Sequence, residues 1–489
     1  MAASQWTFAT AVETAKALAH REISSVELTQ LAIDRITRHD DKINAICVRD
    51  FDRALQAARA ADARLAQGER APLLGLPLTV KESFNVAGLP TTWGFPQQKD
   101  FIAAQDALIV ARVKDAGGIV LGKTNVPIGL GDWQSYNEIY GTTNNPYDLG
   151  RTPGGSSGGS AAALAAGYGA LSLGSDIGGS LRVPAFHCGV TAHKPTLGMV
   201  PLRGHTPPPF PPLPMESDLA VVGPMARSAA DLALLLDVIA GPDPLDAGKA
   251  YRLELPQPRH GRLQDFRVLV IASDPLLPTD TAVRGAIERL AADLAKAGAS
   301  VASESPLLPN LAASSRIYMQ LLLGFLGATM PPEAYAGASQ AAAQLPKDAT
   351  SLAAERLRNI PLSHRGWIQA HGARAAMLAQ WRELFERFDA VIAPVMPTPA
   401  YPHDHSPDQT QRRIRIGGVD YDYNDQLVWP GLATLPGLPA TAIPLGLADG
   451  LPVGVQIVGP WLEDRTTLKL AELIEREFGG FVPPPMFAN

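Results

Sequence analysis

The sequence predicts an α/β protein built on a largely parallel, multi-stranded sheet. Helical and strand-like apolar periods alternate along most of the 489 residues, the pattern that builds crossover units. A hydrophobic content of 46% against 18% charged residues is that of a globular chain with a sizeable core. No repeat recurs at a period of about 20–50 residues, which excludes solenoids and propellers. Strand-forming runs fall on both sides of one long polar crossing, so one continuous sheet and two domains both remain open at this level.

Residues 1–70 read as a helical region packing on the core. Ser24 followed by Glu27 is a capping box, and Leu28, Leu31, Ala32 and Ile36 then recur at helical spacing. Phe51, Ala54, Leu55, Ala58, Ala61 and Leu65 make a second stripe. The period then changes. Leu73 to Val80 is a strand-like run ending in Lys81, followed by a helix from about Asp106 to Ala116 and a strand at Ile119 to Leu121. Ser228 caps a helix over Ala229 to Ile239, which closes the segment 71–240. The stretch 241–265 is polar and Pro-rich and reads as a linker or surface crossing. Within 266–489 come a strand at Phe266 to Ile271, a helix from about Thr279 to Ala297, and a mostly helical stretch over 305–388. Strands follow at Asp389 to Val395, Ala440 to Pro444 and Val453 to Val458, before a closing helix near Asp464 to Phe478.

A formal charge of −6 gives no electrostatic reason for a nucleic-acid partner. Cys47 and Cys188 are too few for a disulfide framework or a cysteine-based zinc site. The N-terminus lacks the basic and apolar regions of a signal peptide. The uncharged run from Thr152 to Ser175 is long enough to span a bilayer, but its Gly/Ser content argues against lipid. A soluble cytoplasmic protein is therefore expected.

Two pattern matches fail on context. Gly117 to Thr124 fits the P-loop expression, which requires strand, loop and then helix. Here a helix precedes the motif and its middle is Ile-Val-Leu, which is a strand leaving a helix. Gly155 to Gly159 fits the G-x-S-x-G elbow, which needs an apolar strand immediately before it, whereas Arg151-Thr152-Pro153 precedes. The His403-x-His405 pair lies in a polar loop without a clear third ligand, so it reads as surface rather than zinc. The remaining histidines, His187, His193, His205, His260, His364 and His371 among them, have no distinctive context.

One stretch survives. Pro153 to Pro184 carries two glycine-flanked serine sites, Ser156-Ser157 and Ser180, almost without charge. A serine hydroxyl needs a base within hydrogen-bond reach and donors for the oxyanion it generates. Glycines at 178 and 179 let successive backbone N–H groups turn toward one point. Asp176 and Arg182 flank the turn and read as an ion pair holding it. Histidine is one candidate base; Lys81, ending a buried-looking strand, is the other. Desolvation there would lower its pKa from ~10.4 to ~7–8, at a cost of about 3–5 kcal/mol.

GLPLTVKES, then PGGSSGGSAAALAAG, then GSDIGGSLRVPAFHCGVTAHKPT resemble the amidase signature family, and the tail WPGLATLPGLPATAIPLG…GLPVGVQIVGP extends the likeness over essentially the whole chain. The resemblance implies one large domain, 1–489, with a twisted mixed sheet covered by helices on both faces. It makes Ser180 the nucleophile, Ser156 a bridging serine after a cis Gly155–Ser156 bond, and Lys81 the base. Backbone N–H groups of Ile177, Gly178, Gly179 and Ser180 would form the oxyanion hole, with Ser157, Asp176 and Arg182 in support. No cofactor or metal is implied, and the partner is a small-molecule amide, with a homodimer left open.

By motif distance, Leu130, Gly131, Trp133 and Asn137 should lie over the acyl pocket. The Pro-rich insert 206–214 reads most simply as a stiff surface loop, and otherwise as part of the pocket mouth. The glutamine-hydrolysing subunit of the tRNA-dependent amidotransferase typically has Ile-Arg-Gln-Pro after the nucleophile and an SSLDQIGP-like segment later. Leu181-Arg182-Val183-Pro184 and Glu216 to Pro224 replace them here, which favours a stand-alone amidase. The lipid-amide branch carries membrane-binding features, and no equivalent apolar hairpin is present. A non-catalytic binding protein on a degenerate fold would have no need to retain Lys81, Ser156 and Ser180.

Overall fold

Side-chain caps fix where the first helices begin. Thr10 with Glu13 and Ser24 with Glu27 form capping boxes that open α1 (Ala11–His20) and α2 (Ser25–Ile43). The computed structural model describes residues 3–487. Next come β1 (Ile46–Arg49), α3 (Phe51–Ala66), β2 (Pro77–Lys81), α4 (Leu108–Asp115), β3 (Ile119–Thr124) and the small hairpin β4 (Tyr136–Asn137) and β5 (Gly141–Thr142). The serine-rich stretch becomes α5 (Gly158–Ala165), β6 (Leu171–Asp176) and α6 (Arg182–His187), and β7 (Thr191–Lys194), β8 (Val221–Ala226) and α7 (Ala229–Ile239) follow it. Beyond the polar crossing lie β9 (Arg267–Val270), α8 (Thr281–Lys296), β10 (Ser300–Ala302), α9 (Leu311–Ala328), α10 (Pro332–Gln344), α11 (Leu352–Asn359) and α12 (His364–Arg387). The chain ends through β11 (Ala390–Ala393), the hairpin β12 (Arg413–Ile416) and β13 (Val419–Asp422), α13 (Val428–Thr434), β14 (Ala440–Ala448), β15 (Leu451–Val458) and α14 (Asp464–Phe478).

One mixed sheet of eleven strands runs through the molecule in the order β1-β3-β2-β6-β8-β7-β14-β15-β11-β9-β10. Parallel pairing joins β3-β2-β6 at one end and β11-β9-β10 at the other, and antiparallel pairs connect the two blocks. The β14–β15 hairpin pairs with β7 on one side and β11 on the other. Strands from both sides of the 241–265 crossing therefore share one sheet, and the choice between one domain and two closes on one.

The parallel block positions the site. Strands β2 and β6 are buried along their whole length and run side by side, with Val80 opposite Leu173. Parallel pairing brings their C-terminal ends to one edge, where loops and ligands meet in open α/β sheets. Lys81 thus comes beside Ser175 and Asp176. The uncharged run from Thr152 to Ser175 is interior: α5 is buried throughout and packs on β2, β3 and β6.

By length and composition α9 could cross a membrane, yet Tyr318, Met319, Leu321 and Leu322 are buried and the helix packs against α11, α12 and α13. The strand expected at Ile119 to Leu121 continues to Thr124 because Gly122 lets β1 approach. A Cβ at Gly122 would lie 2.2 Å from the Val48 carbonyl oxygen.

That contact yields a test of the β1–β3 edge. Gly122→Ala should lower the thermal unfolding midpoint through an overpacking cost of ~1–3 kcal/mol. Gly261→Ala, where nothing lies within 4 Å, should leave the midpoint nearly unmoved. Equal midpoints for the two variants would show that β1 is free to shift.

Candidate active site

At the edge formed by β2 and β6, Lys81 is fully buried and its Nζ donates to Ser156 Oγ at 2.6 Å and to Ser175 Oγ at 2.9 Å. Burial pushes the ammonium pKa well below its ordinary value, and Asp176 opposes the shift. Ser156 follows a cis Gly155–Ser156 peptide bond. Only glycine fits at 155, since a Cβ would sit 2.4 Å from the Asp132 carbonyl oxygen.

The loop from Asp176 to Arg182 is held from three sides. Arg182 Nε and Nη2 donate to Asp176 Oδ2 and Oδ1 at 3.0 and 2.9 Å, with both side chains buried. Burial alone would raise the Asp176 carboxyl; Arg182 outweighs it and holds the pKa below the ordinary carboxylate value. Tyr318 donates its hydroxyl to the Ile177 carbonyl at 2.7 Å, and Trp133 Nε1 donates to the Gly178 carbonyl at 2.9 Å. Because a trans peptide points its C=O and N–H in opposite directions, Tyr318 orients the Gly178 N–H and Trp133 orients the Gly179 N–H.

This geometry corrects the expected oxyanion donors. The Gly179 N–H donates to Asp176 Oδ1 at 2.9 Å, so it belongs to the loop's internal bonding. The N–H groups of Ile177, Gly178 and Ser180 have no protein acceptor among the described residues. Ser180 lines a cavity of about 730 Å³, and its hydroxyl is not hydrogen bonded to Ser156. Ser157 is placed behind the site, where its hydroxyl makes long contacts of 3.4 Å to the Ser175 backbone.

Leu130, Gly131 and Trp133 line the cavity as expected. Asn137 does not. Its side chain donates to Asn125 Oδ1 and the Val126 carbonyl at 2.9 and 2.7 Å and accepts from the N–H groups of Ile139 and Tyr140, so it braces a turn. The Pro-rich insert 206–214 is also absent from the wall, and Phe210 is 66% exposed. Most of the apolar wall comes from α9, α11 and the segment between them, including Leu322, Leu326, Met330, Leu345 and Leu357. These positions carry no sequence signal, because they belong to no motif and are brought in from 140 or more residues away. Ser175 was legible only as part of GSD before the nucleophile.

The dismissed motifs are structural. Lys123 Nζ is held in β3 by the Pro90 carbonyl and Thr91 Oγ1. His403 Nε2 lies 3.1 Å from Asn144 Oδ1, and His405 stacks on Tyr136 at 3.8 Å. His193 bridges Thr441 and Asp464 deep in the core.

The family model described as Amidase matches residues 27–468. The chain therefore belongs to the amidase family, and its fold and active-site scaffold are those of that class. Among curated relatives, a glutamyl-tRNA(Gln) amidotransferase subunit from Acidothermus cellulolyticus is 34% identical, covering 96% of this chain and 94% of the relative. Fatty-acid amide hydrolase 2-A of Danio rerio is 33% identical, with 97% and 89% covered. Among solved structures, an s-triazine catabolic enzyme described in a vestigial protein complex superposes with a TM-score of 0.79 at 30% identity, over 96% of this chain and 98% of that one. A bacterial aryl acylamidase at 24% identity, with a TM-score of 0.78 over 96% of both chains, shares the fold.

The buried lysine sets a pH signature for stability. Its folded pKa is depressed below the unfolded value, near 10.5, so the unfolded chain binds a proton that the native chain does not. Stability present above the unfolded pKa is then lost as pH falls toward the folded pKa. Lys81→Met removes that titration. Its thermal midpoint relative to the parent should rise steadily from pH 10 to pH 7, whereas a constant difference would mean that Lys81 is charged in the fold.

Proposed function

We propose that this chain is a stand-alone amide hydrolase in which Ser180 is the nucleophile, Ser156 the proton relay and Lys81 the base. The observation that carries the reading is the 2.6 Å contact from buried Lys81 to Ser156 Oγ, beside a serine that opens onto the cavity. Neutral Lys81 takes the Ser156 proton as Ser156 takes that of Ser180, and Ser180 Oγ attacks the amide carbonyl. The two hydroxyls draw together in the substrate complex, since catalytic bonds often tighten only there. The N–H groups of Ile177, Gly178 and Ser180 receive the oxyanion. The relay returns its proton to the leaving nitrogen, and the C–N bond breaks to give an ester on Ser180 and a free amine or ammonia. Water, deprotonated along the same path, then releases the acid.

The wall favours carboxamides with an apolar group, because aliphatic side chains from α9 and α11 dominate it. The reading is of a cytoplasmic enzyme without a nucleic-acid or membrane partner. A second reading, a glutamine-hydrolysing subunit, is favoured by the curated relatives named as such subunits. Against it stand the Leu181–Pro184 and Glu216–Pro224 segments, which depart from that subunit's pattern.

A hydrolysis screen over aliphatic, aryl and amino-acid amides tests the proposal. Ser180→Ala should remove nearly all turnover, on the order of 10⁶-fold, and Lys81→Ala on the order of 10²–10⁴-fold. In the parent, kcat/KM should fall as pH drops through the Lys81 pKa, because protonated lysine accepts nothing. Turnover retained by Ser180→Ala would sink the mechanism. Glutaminase activity that needs a co-purifying partner would instead support the second reading.

A further inference from the structure

Among the described residues, the cavity wall onto which Ser180 opens carries one cation, Arg356. Its fork is already filled from within the protein. Nη1 donates to Asp425 Oδ1 and Nη2 to Asp422 Oδ1, each at 2.7 Å. Three separate pieces of chain supply the cluster: α11 brings Arg356, the end of β13 brings Asp422, and the turn Tyr423–Leu427 brings Asp425. Asp422 is fixed further by accepting the Asn424 N–H at 3.1 Å. Two carboxylates against one guanidinium leave an excess of one negative charge, and Asp422 itself faces the cavity as a lining residue.

The neighbouring cation is engaged as well. Arg412 donates Nη1 to Asp132 Oδ2 at 2.6 Å, and the other Asp132 oxygen accepts the Tyr423 hydroxyl at 2.6 Å. A planar guanidinium is the side chain best matched to a carboxylate. A substrate carboxylate entering this cavity would have to break an ion pair to reach one, and would meet Asp422 as a like charge in a poorly solvated space.

We infer that Asp422 and Asp425 are specificity-determining residues that hold Arg356 closed, so that the cavity accepts amides of neutral apolar acids and rejects half-amides of dicarboxylic acids. Arg356 is then a latent carboxylate site. This inference rests on the proposed use of the cavity as the substrate pocket.

Binding separates it from that reading. The full chain carrying Ser180→Ala is titrated by calorimetry with octanamide and with the monoamide of octanedioic acid, two linear amides differing by one terminal carboxylate. The Ser180→Ala protein should bind octanamide at least tenfold tighter than the half-amide. Adding Asp422→Asn and Asp425→Asn, which keep the shape and the Asn424 cap, should shift that ratio at least tenfold toward the half-amide. A further Arg356→Met should erase the shift, which a merely structural role for the two acids would not predict. Equal binding of both amides before the acids are changed, an unshifted ratio in a folded Asn variant, or no binding of either amide would each overturn the inference. Octanamide turnover by the chain with Ser180 intact tests the hydrolase reading on its own.

Discussion

The buried pair of Asp176 and Arg182 is the interaction on which the rest of the site depends. Asp176 accepts four donors: two from the guanidinium and the backbone N–H groups of Gly179 and Leu181. Arg182 continues outward to Gln456 Oε1 at 2.6 Å in β15, to Thr434 Oγ1 at 2.8 Å and to the Pro430 carbonyl at 3.1 Å in α13. One ion pair therefore ties the loop around Ser180 to elements far later in the chain. Removing either partner would strand a buried charge, which typically costs about 3–5 kcal/mol. The same carboxylate moderates Lys81, whose burial alone would drive its pKa lower. Loop shape and base strength are set by one group.

Around that pair the molecule divides its labour. The buried strands β2 and β6 hold Lys81, Ser175 and Asp176 with little freedom, as reacting groups require. The cavity wall is supplied by α9, α11 and their connection, which pack beside the sheet and contribute no strand to it. Such a wall can change its side chains without moving Lys81 or Ser156. The two relatives described above, one named for a tRNA-linked amidotransferase and one for fatty-acid amides, are almost equally similar to this chain. Overall similarity therefore cannot rank substrates here, and the wall has to.

Legibility in the sequence follows the same division. Strands with uninterrupted apolar runs, such as Leu73 to Val80 and Asp389 to Val395, are visible because burial on both faces removes polar residues. Strands β6, β7 and β8 are not: Leu171–Asp176 and Val221–Ala226 carry glycine, serine or proline, and Thr191–Lys194 is rich in buried polar side chains. Lys81, Ser156 and Ser180 stand out because glycine clusters and a lysine at a strand end are chemically conspicuous. Asn137 shows the reverse failure. Proximity in sequence to Trp133 suggested a pocket residue, but its amide satisfies buried backbone groups, a need that sequence spacing does not reveal.

Gly179 sharpens the point. Two adjacent glycines before a serine suggest a run of N–H groups converging on one anion, yet the anion met by Gly179 is the protein's own Asp176. Its φ of +94° and a hypothetical Cβ only 2.8 Å from Pro430 Cγ explain why glycine is needed there. The residue works by letting the chain bend back onto Asp176 beneath α13. That bend leaves the Ile177, Gly178 and Ser180 N–H groups without a protein acceptor among the described residues. The internal carboxylate thus shapes the place that the substrate's developing negative charge would occupy, and its own charge is neutralised by Arg182, so it does not repel what it helps to position.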